Sequence, residues 1–107
     1  MASEFLVLAA LSCTLPEGEA GRRRAEVGRL FANARRVSEL PDGVELEFAG
    51  DDATARALFD FVMFERQCCA QLRFDLRFIP EHSAVSLCIT GAPELVAPIR
   101  TFAGIQV

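Results

Sequence analysis

Along this chain the apolar positions recur with the period of a strand or of a helix, and each change of period marks an element. Residues 5–11 form an unbroken apolar run of the length of a buried strand. Thr14-Leu15-Pro16-Glu17 then has the Thr-x-x-Glu form of a capping box, with Pro16 at an early helical position where its missing N–H costs little. Val27, Leu30, Phe31 and Ala34 follow at i, i+3, i+4 and i+7, with Arg22, Arg23, Glu26 and Arg29 off that stripe, so an amphipathic helix is predicted to end within 33–35. Strands at 36–40 and 44–48 flank Pro41-Asp42-Gly43, a turn in which Pro presets φ and Gly accepts a positive φ. In the second of these strands Val44, Leu46 and Phe48 point inward and Glu45 and Glu47 outward.

Gly50-Asp51-Asp52 offers an acidic N-cap for a second helix running to about Ala70. Leu58, Phe59, Phe61, Val62, Met63 and Phe64 cover most of its circumference, so it is expected to be buried on more than one side or to meet a second subunit, which makes a homodimer an expected arrangement. A second hairpin follows. Leu72, Phe74, Leu76 and Phe78 alternate with Arg73, Asp75 and Arg77, the chain turns around Pro80-Glu81-His82-Ser83, and Val85, Leu87 and Ile89 lead back. Gly91-Ala92-Pro93 breaks the pattern before a short closing helix over 94–102. The expected fold is α+β: a mostly antiparallel sheet, built from two hairpins and an N-terminal strand, packed against two main helices and a short C-terminal one. At 107 residues one domain, 1–107, accounts for the whole.

Nine Phe with no Trp or Tyr predict an aliphatic core with Phe layers. The net charge of −4 and the scatter of Arg among acids leave no field to attract a phosphate backbone, so nucleic acid is not an expected partner. Arg22-Arg23-Arg24 reads as a solvated helix face. The run 5–11 is too short to span a bilayer, and it has Glu4 where a signal sequence carries a positive charge. The expected setting is the cytoplasm, with no membrane partner.

Four Cys without an export signal read as reduced thiols rather than a disulfide framework. Cys68 and Cys69 are adjacent, and neighbours can be bridged only through a strained ring, so the pair is better suited to holding something than to bonding to itself. On a helical wheel Cys69 joins the inward stripe of Ala55, Leu58 and Val62, while Cys68 falls nearer Phe61. Glu65 lies three residues before Cys68 and four before Cys69, on the ridge between the sulfurs, where a carboxylate can accept a thiol proton or serve as an oxygen ligand. Cys13 precedes the expected N-cap Thr14, where helix N–H groups favour a thiolate. Three converging sulfurs would form a soft site for Hg(II), Cu(I), As(III), Cd(II) or Zn(II), and a poor one for Mg(II) or Ca(II).

Cys88, in the row Ala84, Ser86, Cys88 and Thr90, reads as a packing residue, and His82 as a solvated turn residue. The chain has no C-x-x-C pair and no Gly-rich phosphate loop, and its single His gives no evident Cys–His or Ser–His–Asp set.

Cys13-Thr14, Leu40-Pro41-Asp42-Gly43, Glu65-Arg66-Gln67-Cys68-Cys69 with Phe74 beyond it, and Thr90-Gly91-Ala92-Pro93 together resemble a group of small bacterial proteins with an E-R-x-C-C signature, some of them connected with resistance to mercury or other heavy metals. Pro-Phe tends to follow the Cys pair in that group, whereas Ala70-Gln71 stand here. The first expectation is therefore capture of a soft metal or metalloid ion by Cys13, Cys68 and Cys69, with Glu65 as an outer or fourth ligand and Arg66 balancing charge. The alternatives are a thiol enzyme acting through Cys68, Cys69 and Glu65, and a purely structural or dimerisation module.

Overall fold

A computed structural model of the chain describes residues 17–105. The expected strand over 5–11, the residues Thr14 to Pro16 of the capping box, and Cys13 lie outside the described residues.

Helix α1 (Glu17–Ala32) leads through a turn to strands β1 (Arg36–Leu40) and β2 (Gly43–Ala49), followed by α2 (Asp52–Cys68), β3 (Arg73–Ile79), β4 (Ala84–Thr90) and α3 (Pro93–Phe102). The strands make one antiparallel sheet in the order β1-β2-β4-β3, so the fold is α+β. β4 lies between β2 and β3, and the unit β2–α2–β3 is therefore a crossover that leaves room for one more strand. Each hairpin is local, but the β2–β4 pairing, from Gly43↔Thr90 to Ala49↔Ala84, joins distant parts of the chain.

The inward residues of β2 and β4 do what their alternation predicts, whereas in β3 Phe74 and Leu76 are half-buried and Phe78 is exposed because β3 is an edge strand. Val44, Leu46 and Phe48 of β2 and Val85, Leu87 and Ile89 of β4 are buried in one core with Val27 and Phe31 of α1, Leu58 and Phe61 of α2, and Val96 and Ile99 of α3. Phe rings tie the layers: Phe31 meets Phe61 and Phe102 edge-on, and Phe61 meets Phe74, with centroids 5.3–6.2 Å apart.

The β1–β2 turn forms where Pro41-Asp42-Gly43 predicts it, but not for the expected reason. Gly43 does not have a positive φ. Its function is close approach, since a Cβ there would lie 1.9 Å from the Ile89 carbonyl oxygen. Arg100 of α3 braces the same turn, donating to the carbonyls of Leu40, Pro41 and Gly43.

Helix α2 begins as expected. Asp51 is its N-cap and accepts from the Thr54 N–H at 3.0 Å and the Thr54 hydroxyl at 2.7 Å. It ends earlier than expected, at Cys68, because Cys69 leaves helical geometry (φ −124°, ψ 68°) and caps the helix with its N–H on the Glu65 carbonyl. Its buried residues are Leu58, Phe61 and Glu65, while Phe59 and Met63 are 54% and 37% exposed. Among the described residues α2 is thus fully buried along one stripe, Leu58, Phe61 and Glu65, and not on several sides. Among the described residues no helix is long and apolar enough to cross a membrane.

Candidate thiol pocket

The two adjacent cysteines sit where α2 stops and the chain reverses into β3. The Leu72 N–H donates to the Cys69 carbonyl at 3.1 Å, which closes a tight turn over Ala70 and Gln71. This turn replaces the last helical residues expected up to Ala70, and Cys69 still packs against the core to which Ala55, Leu58 and Val62 belong, as its wheel position predicts. Cys68 and Cys69, both half-buried, line one cavity of about 320 Å³ together with Ala70, Gln71, Leu72 and Leu95. Leu95 belongs to the first turn of α3, so the positive end of that helix dipole lies at the cavity and favours negative charge there. Gly91 leaves room for Leu72: a Cβ on it would lie 2.9 Å from the Leu72 side chain.

Glu65 is one helical turn before the cysteines and fully buried. Its Oε1 accepts from Arg23 Nε of α1 at 3.2 Å, while Oε2 is buried with no hydrogen-bond partner among the described residues. The Arg23 guanidinium is itself stacked over the Phe64 ring, 4.4 Å from its centroid, with Phe61 at 5.7 Å. Burial pushes the Glu65 carboxyl up to about 7, and Arg23 opposes that rise only in part.

Two expectations are corrected here. Arg23 belongs to the interior rather than to a solvated basic face: it stands four residues before Val27 and eight before Phe31, on the buried stripe, and only 16% of its side chain is exposed. Arg66, expected to balance charge at the site, is exposed and points its guanidinium at Met63 Sδ, while Arg23 is the cation at Glu65. Reading the i−4 spacing of Arg23 as strictly as that of Leu30 would have exposed the first error.

Among the described residues no three His, Cys, Asp or Glu side chains come together as a group able to hold a metal. Cys68, Cys69 and Glu65 therefore do not form a three-ligand cluster by themselves, and the carboxylate expected to ride between the sulfurs is engaged by Arg23. Cys88 is buried in β4 between Glu45 and Asp75, and burial, then Glu45, raises its thiol pKa. His82 is exposed in the β3–β4 turn. No protein-family model matches the chain, and neither the curated proteins nor the solved structures contain a match to it.

Proposed function

We propose that the chain captures a soft, thiophilic ion through Cys68 and Cys69. One observation carries this reading: two adjacent sulfur-bearing residues open into the same small, otherwise mainly apolar cavity. An apolar wall disfavours hard, strongly hydrated cations and leaves sulfur as the donor, which selects ions such as Hg(II), Cu(I), As(III) or Zn(II). Within that set, two sulfurs satisfy the linear preference of Hg(II) and Cu(I), whereas Zn(II) requires four ligands. Participation of Cys13 as a third sulfur would extend the site to As(III). The likeness to proteins with the E-R-x-C-C signature points to the same class of ion.

Titration of the reduced protein with Hg(II), Cu(I) and Zn(II), followed by the ultraviolet sulfur-to-metal absorption, tests the proposal. Tight binding of the two-coordinate ions is expected, with loss in Cys68→Ser/Cys69→Ser and retention in Cys88→Ser. Equal affinity in the double variant sinks the reading.

The paired thiols at the cavity support an alternative, a thiol enzyme in which one Cys attacks a substrate disulfide and expels one half as a thiol, the other Cys expels the second half as a Cys68–Cys69 disulfide forms, and the nearby buried Glu65 takes up the proton. Fast alkylation of a single Cys at neutral pH, slowed by Glu65→Gln, would favour it over simple capture.

A further inference from the structure

We propose that two copies of this chain join along their β3 strands, extending the four-stranded sheet into one of eight across a two-fold axis at Leu76. β3 is an edge strand, and no described strand pairs with its outer side. It offers a good template, because its seven pairs with β4 run in unbroken register and contain neither a bulge nor a Pro. The exposed large apolar side chains cluster there too. Phe78 and Ile79, at the end of β3, are 63% and 42% exposed, and Phe59 and Met63 stand one turn apart on α2. Ala55, in the same i, i+4 row as those two, lines a cavity together with Phe78 and Ile79, so this helical row flanks the open edge. Other charged or aromatic edges attract many partners, but the sequence of β3 is complementary to itself.

Symmetry limits the pairing strictly. A two-fold axis normal to an antiparallel ladder must place some residue opposite its own copy, because directly paired residues share a face. Centring on Asp75 sets Asp75 against Asp75 and Arg73 against Arg77, and centring on Arg77 sets Arg77 against Arg77. Both oppose like charges. Centring on Leu76 places Asp75 opposite Arg77 twice and Phe74 opposite Phe78 twice, with Leu76 on Leu76. Charge complementarity thus selects one register out of the three that overlap most of the strand, and the same register brings the exposed Phe78 onto the Phe74 of the second copy.

Sedimentation of the full chain under reducing conditions, from micromolar to millimolar concentration, tests this. The wild type is expected at twice the mass of one chain. Asp75→Arg sets four Arg face to face and is expected to shift the dissociation constant at least about tenfold toward monomer, while Asp75→Arg/Arg77→Asp restores the dimer by exchanging the signs. Circular dichroism on both variants verifies that each is folded, and the restored dimer shows that the first substitution did not act through misfolding. A monomeric wild type at all concentrations, as would follow if another segment of the chain covered the edge, overturns the proposal. A dimer indifferent to Asp75→Arg overturns it as well.

Discussion

At Glu65 the chain sets a carboxyl group where water does not reach, with Arg23 as its charged partner among the described residues. The pKa of about 7 follows from desolvation outweighing Arg23, and it fixes the sign of a pH effect. Between about pH 4.5 and 7 the folded protein holds a proton that the unfolded chain has released, so this group's stabilisation is full below pH 4.5 and disappears as pH rises through 7. A rise from 4.5 to about 7 corresponds to about 3 kcal/mol. Denaturant titrations across that window are expected to show wild-type stability falling toward pH 7 and the Glu65→Gln variant losing most of the slope; a wild-type slope of opposite sign would refute the assignment. Asp51 works in the other direction at more acid pH: its bonds from Thr54 lower its pKa, so its contribution is lost as pH falls. Gly43 is the second residue where a single atom decides. Gly43→Ala would drive a Cβ into the Ile89 carbonyl, and a loss of about 3 kcal/mol is expected on chemical denaturation, against the gain that Ala gives where backbone is unconstrained. Both residues show what could be read beforehand. A glycine in a turn was legible, but its cause was not, because the atom it avoids lies on β4, far along the sequence. Glu65 was legible as a residue near the thiols, while its partner Arg23, 42 residues earlier, was hidden inside an apparent basic run.

At the level of elements, alternation identified β2, β3 and β4, because the residues of one face pack on the core and period-two patterning records that, while β1 was placed by the Pro41-Asp42-Gly43 turn that follows it. Strand order was not legible, since nothing local in β2 or β4 encodes that they pair. The end of α2 was misplaced by two residues for a related reason. Cys69 and Ala70 have no helix-breaking character of their own, and the stop is imposed by the turn that lets Leu72 reach Cys69 and enter β3. That short difference matters to the site, because both cysteines line one cavity at the turn while Cys69 keeps its packing against the core. Arg100 shows how α3 stabilises a distant turn: its guanidinium donates to three carbonyls of residues 40–43. Charge-assisted bonds of this kind are worth about 2 kcal/mol apiece when partly buried, but they overlap, so Arg100→Ala is expected to cost about 2–3 kcal/mol in total and Arg100→Lys nearly as much, since an ammonium cannot fork across the turn. At the opposite end of the sheet, Glu81 and His82 both adopt left-handed backbone, at φ 65° and 56°. Non-glycine residues are strained there, and His82→Gly is expected to raise stability by about 1 kcal/mol in a thermal melt.

For the molecule as a whole, the proposed capture of an ion at Cys68 and Cys69 would couple occupation of the cavity to folding. Its walls come from the end of α2, the turn into β3 and the first turn of α3, three segments whose mutual packing is part of the native state. An ion held by both sulfurs would stabilise the folded chain to the extent that it prefers the folded arrangement. With no affinity for the unfolded chain, binding would raise stability by the free energy RT ln(1 + [L]/Kd), about 2.7 kcal/mol at a hundredfold excess over Kd. Adjacent cysteines complicate the measurement, because an unfolded chain also presents two neighbouring thiols to a thiophilic ion, and any such affinity subtracts from the shift. Cys13→Ser resolves the matter. A site of two sulfurs predicts the same Hg(II)-induced shift in Cys13→Ser as in the wild type, whereas a site that gathers a third sulfur from the N-terminal segment predicts a smaller shift, since that distant thiol is available at close range only when the chain is folded. Differential scanning calorimetry of wild type, Cys13→Ser and Cys68→Ser/Cys69→Ser with Hg(II) separates these cases, and an equal shift in all three would place the ion elsewhere on the protein.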